Sequence, residues 1–111
     1  MAHVTFFRFK VLPGKRQALF DHFDKWLRDQ KAHAIGYERT ILVASNTDTN
    51  EFMGAARWDN TANYVRNANR PEQDAWFREL RSYLESDPEW FDGTLEREAD
   101  ARTERATART A

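Results

Sequence analysis

The sequence predicts an α+β domain with a ferredoxin-like, split βαβ arrangement and an antiparallel sheet. Three observations lead to this fold class. Four short segments rich in β-branched or aromatic side chains are typical of strands. The segments between the first and second strands, and between the third and fourth, carry apolar residues at helical spacing. Five polar residues join the two middle strand segments, which favours a hairpin.

The first strand is predicted over residues 3–11, because proline and glycine at 13–14 interrupt the pattern there. A helix is predicted to follow from Lys15 to about Ala32. One face of that helix carries its large apolar residues, at spacings of four, three and one: Leu19, Phe23, Trp26 and Leu27.

The second and third strands are predicted as antiparallel neighbours over residues 37–45 and 51–58, with the hairpin linker between them. Capping oxygens at 59–61 then predict the start of a helix over 62–68. Pro71 interrupts the helical pattern. The remaining elements are a helix over 72–86 and a last strand over 89–97.

Length and composition predict one folded domain over residues 1–98. Residues 99–111 contain no large apolar side chain, so they are predicted to form a polar, disordered tail.

Both faces of the first strand are apolar, which predicts a partner for the sheet. Phe7, Phe9 and Val11 alternate with Val4 and Phe6, and alternate residues of a strand point to opposite faces. The helices of a ferredoxin-like fold cover one face only, so the other would be an exposed apolar patch. We therefore expect a homodimer that forms through the sheet faces.

Composition excludes several classes of function. The chain has 17 basic and 18 acidic residues, which removes the simple electrostatic case for nucleic acid or an anionic membrane. It has no cysteine and no apolar run of bilayer length, so a cytoplasmic protein without thiolate chemistry is expected. The third strand also has too few exposed aromatic residues to stack bases as RNA-binding modules of this topology do.

No cofactor or metal site is predicted. The chain contains no G-x-G-x-x-G or Walker pattern, and none of its serines lies in a nucleophile elbow. Its three histidines form no i, i+4 pair. We interpret His22 and His33 as solvated helix surface.

Two sequence segments resemble the antibiotic biosynthesis monooxygenase family of dimeric α+β barrels. They are Val11-Leu12-Pro13-Gly14-Lys15 before the first helix and Ala56-Arg57-Trp58-Asp59 at the end of the third strand, and the resemblance runs over residues 3–97. It implies a small-molecule pocket between sheet and helices. It also implies a cofactor-independent monooxygenase acting on an aromatic or polyketide-like substrate. Asn67 departs from the family pattern, since many members carry a helix histidine there.

Eight residues lie on elements expected to bound such a pocket. In cofactor-free oxygenation the deprotonated substrate itself reduces oxygen, so the protein supplies a dry aromatic cavity, a proton acceptor and groups that stabilise an anion. We expect the catalytic residues to be Trp58, Asn67, Tyr64 and Arg39. The substrate-binding residues are expected to be Arg57, Trp76, Phe7 and Phe9.

A structural interpretation of the same residues stays open. The two arginines would pair with Glu38, Glu51 or Glu96 across the sheet, and the tryptophans would belong to the core. The protein would then be a non-catalytic, dimeric metabolite-binding or stress-related protein.

Overall fold

The computed structural model describes residues 1–102. Along the chain it contains β1 (His3–Lys10), α1 (Arg16–Asp29), a 3-10 turn (Lys31–His33), β2 (Tyr37–Ala44), β3 (Glu51–Trp58), α2 (Thr61–Ala68), α3 (Pro71–Ser82) and β4 (Glu89–Thr94). The predicted tail lies outside the described residues from position 103 onward. The predicted extent of the domain, residues 1–98, therefore stays a prediction.

The four strands form one sheet in the order β2-β3-β1-β4, with every neighbouring pair antiparallel. This is the strand order of the ferredoxin-like arrangement, so the predicted fold class is confirmed. The register places Trp58, at the end of β3, opposite both His3 of β1 and Tyr37 of β2. These three side chains consequently meet at one end of the covered face.

Local chemistry explains where α2 and α3 begin. Asn60 caps α2, because its Oδ1 accepts a hydrogen bond from the backbone N–H of Asn63 at 2.8 Å. Pro71 opens α3 in the first turn, where its missing N–H costs no helical hydrogen bond. The helix ends at Ser82, four residues before the predicted end, because Leu84 pairs with Val11 in an isolated β-bridge.

A bulge between Tyr37 and Arg39 of β2 decides which side chains face the helices. The register slips by one residue there, so Tyr37 pairs with Trp58 while Arg39 pairs with Arg57. Without the extra residue, Tyr37 and Arg39 would point to the same side of the sheet. With it, Tyr37 lies on the covered face and Arg39 on the other.

The helices cover one face of the sheet. The core between sheet and helices consists of apolar side chains that are less than one-tenth exposed: Phe7, Phe9, Val11, Leu19, Phe52, Leu80 and Leu84. Each such side chain contributes roughly 1.5–3 kcal/mol through its removal from water. The prediction that Phe7, Phe9 and Val11 share the covered face is confirmed.

Among residues 1–102, no helix covers the opposite face of the sheet, which is apolar at its centre. Its large apolar side chains are 47–68% exposed, and they come from all four strands: Phe6, Ile41, Val43, Met53 and Phe91. We call this surface the open face. Within residues 1–102, no helix has the length and apolar character needed to cross a bilayer.

Candidate functional site

A cavity of about 380 Å³ lies between the covered face of the sheet and the helices. Half of the residues that line it are aromatic: Phe7, Phe9, Phe20, Phe23, Trp26, Tyr37, Trp58, Tyr64, Trp76 and Trp90. The volume is within the range of small-molecule sites, which are concave, mostly apolar and fitted with a few polar groups. The polar side chains of the lining include Thr5, Thr40, Asn67 and Gln73.

Six of the eight predicted site residues come together around this cavity. They are Phe7, Phe9, Trp58, Tyr64, Asn67 and Trp76. They are brought there by β1, the end of β3, α2 and α3. Their roles in binding or catalysis stay predictions.

Arg39 and Arg57 do not line the cavity, which corrects their predicted placement. Strand alternation and the bulge in β2 put both on the open face. Arg57 donates hydrogen bonds from Nε to Glu38 and from Nη1 to Glu98, each at 2.8 Å, and Arg39 lies 3.6 Å from Glu98. The hydrogen bonds to Glu98 and Glu38 raise the pKa of Arg57. The expected ion pairing is found for Arg57 with Glu38, whereas Glu98, which contacts both arginines, was not among the expected partners.

Trp58 is 3% exposed and forms the wall at one end of the cavity. Its ring packs edge-to-face against Tyr37 at 5.3 Å and Tyr64 at 5.9 Å. Its indole Nε1–H is buried and has no hydrogen-bond partner among residues 1–102. A buried donor without an acceptor costs about 1–3 kcal/mol, so this indole N–H is an unmet hydrogen-bonding group in the wall of the cavity.

The two amide side chains of the lining have their oxygens occupied by other residues. Asn67 Oδ1 accepts a hydrogen bond from Arg70 Nη1 at 3.1 Å, and Gln73 Oε1 accepts one from Trp26 Nε1 at 2.7 Å. Guanidinium and indole groups only donate, so the amide oxygens must face them. This leaves the –NH₂ groups of both side chains as the parts that a cavity ligand can use. Sequence reasoning missed Gln73 and Arg70.

A hydrogen-bonded chain with a buried centre, His3 and Thr5, borders the cavity at Thr5. Thr5 Oγ1 donates to Asp92 Oδ1 at 2.6 Å and lies 2.8 Å from His3 Nε2. Because the hydroxyl has one hydrogen, its oxygen must accept from His3, which assigns a proton to Nε2. His3 Nδ1 lies 3.0 Å from Thr61 Oγ1, completing the chain Thr61–His3–Thr5–Asp92. The sequence offered no signal for it, since its members come from three separate elements.

Tyr64 lies beside that chain. Its ring stacks on His3 at 4.2 Å with an interplanar angle of 18°. Burial raises the pKa of the Tyr64 phenol, and the charge of Asp92 acts in the same direction while the Thr5 hydroxyl opposes it. Tyr64 therefore stays protonated at neutral pH and can donate a proton or a hydrogen bond.

His22 is buried rather than solvated, which corrects the prediction for this residue. Its ring stacks on Trp76 at 4.6 Å, its Nε2 donates to the Trp76 carbonyl oxygen at 2.8 Å, and its Nδ1 lies 2.7 Å from Glu79 Oε2. Trp76 Nε1 donates back to the His22 carbonyl at 3.1 Å. The pair holds α1 against α3 and orients the Trp76 ring at the cavity. In the described part of the chain, no three His, Cys, Asp or Glu side chains cluster as a metal site.

The chain has the ferredoxin-like α+β fold of the antibiotic biosynthesis monooxygenases, so the resemblance is confirmed at the level of fold. A conserved protein from Methanosarcina mazei Go1 superposes with a TM-score of 0.76 at 11% identity, covering 86% of this chain and 94% of that one. SnoaB, a cofactor-independent oxygenase from Streptomyces nogalater, superposes with a TM-score of 0.71 at 18% identity, covering 87% of this chain and 95% of that one. A crystal structure of an antibiotic biosynthesis monooxygenase superposes with a TM-score of 0.70 at 9% identity, covering 87% of this chain and 100% of that one. No protein-family profile matches the sequence, and no curated protein sequence is similar to it.

Proposed function

We propose that this protein is a cofactor-independent monooxygenase that oxidises an aromatic or polyketide-like substrate in the cavity. The observation that carries the proposal is an aromatic cavity of about 380 Å³ lined by Trp58, whose buried indole Nε1–H has no acceptor within residues 1–102. Such a group suits an oxygen atom that gains negative charge during the reaction. The likeness in fold to SnoaB, itself a cofactor-independent oxygenase, supports the same reaction class.

The first step needs a group that takes a proton from the substrate. Asp92 is the candidate, acting through Thr5: a substrate O–H gives its proton to Thr5 Oγ1 while Thr5 passes its own proton to Asp92 Oδ1. The net result is a substrate anion and a protonated Asp92. The Asp92 side chain is 54% exposed, so it can return the proton to water.

The anion must then be held while it reacts with oxygen. The donors that we propose for its oxygen are Trp58 Nε1 and the Asn67 amide, and the aromatic walls would exclude water. The anion transfers one electron to O₂, and recombination of the radical pair forms a C–O bond. For an anthrone, loss of one water from the resulting hydroperoxide yields the quinone, so one O₂ is consumed per water released. Tyr64, which stays protonated, is the proposed donor of a proton to the peroxide oxygen.

We propose that the active form is a homodimer paired through the open face. The exposed apolar side chains of four strands support it, because a contiguous patch of this kind on a soluble monomer is unusual. The cavity lies on the other side of the sheet, so pairing leaves its lining intact. A cytoplasmic location stays a prediction.

Oxygen uptake tests the reaction class. Purified, metal-free protein is screened against anthrones, quinols and related phenols, and turnover is measured with an oxygen electrode. The variant Trp58→Phe keeps an aromatic wall but removes the indole donor, and we expect it to lower kcat by roughly 10²-fold, as loss of one oxyanion donor does. Thr47→Ala, in the β2–β3 linker away from the cavity, is the matched control. Turnover that requires added haem, flavin or metal would refute the proposal.

A non-catalytic metabolite-binding or stress-related dimer is the alternative. It is favoured by the number of cavity polar groups already satisfied by one another, including the Tyr37–Thr40 hydroxyl pair at 2.8 Å. Tight binding of the phenols without oxygen uptake would establish it.

A further inference from the structure

We propose that Arg70 is a positioning residue for the anion site, acting through Asn67. The inference rests on the proposed function and names a residue that neither the sequence pattern nor the cavity lining includes. Arg70 precedes Pro71 at the junction of α2 and α3, and its side chain is 18% exposed. Its guanidinium supplies the positive charge that the sequence led us to expect from Arg39 and Arg57.

Three contacts hold the guanidinium behind the cavity wall. Nη1 donates to Asn67 Oδ1 at 3.1 Å, Nη2 donates to Gln30 Oε1 at 2.7 Å, and Nη2 lies 3.8 Å from Glu72 Oε2. Gln30 caps the end of α1, so the group joins three helices. Because the guanidinium is planar and its donors are fixed, binding two amide oxygens sets its orientation.

This arrangement decides which end of the Asn67 amide a ligand meets. Asn67 is 5% exposed and lines the cavity. Without Arg70, the amide could turn over and present its oxygen, which would repel a substrate anion. With Arg70 in place, Oδ1 is occupied and the Nδ2–H donors remain. The positive charge also polarises the amide, which strengthens Nδ2–H as a donor.

The consequence is a preference for the ionised form of a phenol or enol. Asn67 Nδ2 would donate to its oxygen, and the positive charge of Arg70 on the far side of Asn67 would favour the anion, whereas the carboxylate of Asp24 in the same lining opposes it. In this structure Arg70 is not among the cavity-lining residues, so its influence is transmitted rather than direct. The site thus acidifies its substrate by stabilising the conjugate base.

An indicator phenol measures this effect without turnover. 4-Nitrophenol changes its absorption on ionisation, so titrating the protein-bound compound reports its apparent pKa. We expect Arg70→Gln to raise that pKa by about one unit, the size of one charge-assisted hydrogen bond. Arg66→Gln is the matched control, because it removes the same charge from an exposed side chain one residue before Asn67. It should leave the apparent pKa within a few tenths of a unit.

A double-mutant cycle tests whether Arg70 acts through Asn67. Asn67→Ala alone should raise the apparent pKa, and adding Arg70→Gln to it should raise it little further, because the transmitting amide is gone. If circular dichroism shows that Arg70→Gln is unfolded, Arg70→Lys takes its place. Lysine keeps the positive charge but lacks the planar pair of donors that binds both amide oxygens, so it should raise the apparent pKa by less.

Three results would overturn the inference. In the first, Arg70→Gln binds 4-nitrophenol with the wild-type pKa. In the second, Arg66→Gln shifts the pKa as much as Arg70→Gln, which would show a general charge effect. In the third, the Arg70 shift is undiminished in the Asn67→Ala background. If the wild-type protein itself fails to bind any phenol, the proposed function fails first and this inference with it.

Discussion

Replacing Thr5 by valine should destabilise the protein although the two side chains have nearly the same shape. Thr5 is 2% exposed, and its hydroxyl accepts from His3 Nε2 and donates to Asp92. Valine leaves the His3 N–H buried without an acceptor, at a cost of about 1–3 kcal/mol. Asp92 is half exposed and can recover its hydrogen bond from water. We therefore expect a loss of about 2 kcal/mol in the free energy of unfolding.

For a domain of this size that loss lowers Tm by roughly 10 °C. Differential scanning calorimetry on the wild type, Thr5→Val and Thr5→Ser measures it. Serine keeps the hydroxyl and loses one methyl group, worth about 1 kcal/mol. Serine should therefore be the milder change, even though valine better conserves volume. If Thr5→Val unfolds at or above the temperature of Thr5→Ser, the hydrogen-bonded chain contributes nothing net and the reasoning is wrong.

Three further predictions concern the two faces of the sheet. Gly54→Ala should cost about 1–3 kcal/mol, measured by urea unfolding, because the new Cβ would overlap the Phe7 ring. Phe6→Arg should convert the dimer to a monomer in sedimentation velocity, since pairing would bury an unpaired charge; a stable wild-type monomer would contradict the dimer. Hydrogen bonding to Arg57 lowers the pKa of Glu98 in the folded protein. The ion pair therefore stabilises the fold at pH values above the usual carboxyl pKa, and this stabilisation is lost as the pH falls through the lowered pKa of Glu98. Glu98→Gln should therefore lose less stability on acidification than the wild type does, and equal losses would show that the pair is not coupled to folding.

The elements and their faces were largely predictable, because they depend on periodicity along the chain. The strand predictions at 3–11 and 51–58 agree with β1 and β3 to within one residue. Alternation along β1 correctly separated Phe7 and Phe9 from Phe6. Boundaries such as the end of α3 were less predictable, since a bridge between Val11 and Leu84 draws the chain out of the helix.

The polar half of the site was not predictable in the same way. A single bulge in β2 places Arg39 on the open face, and no residue type in that segment predicts a bulge. His22 follows a charged residue in an amphipathic helix, yet packing against Trp76 from a helix 54 positions later buries it. The partners of these side chains lie far away in sequence, beyond the reach of local pattern.

By itself, the sequence determined the class of structure: an α+β fold whose sheet is apolar on both faces and has enough helices to cover one of them. That follows from side-chain alternation, which is a property of neighbouring residues. Only the tertiary structure decided which polar groups meet. Asn67 and Arg70 are separated by one helical turn, but the orientation of the amide also depends on Gln30, which lies forty residues before Arg70 and binds its guanidinium. The donors of the site are set by long-range hydrogen bonds, and these exist only once the helices have packed on the sheet.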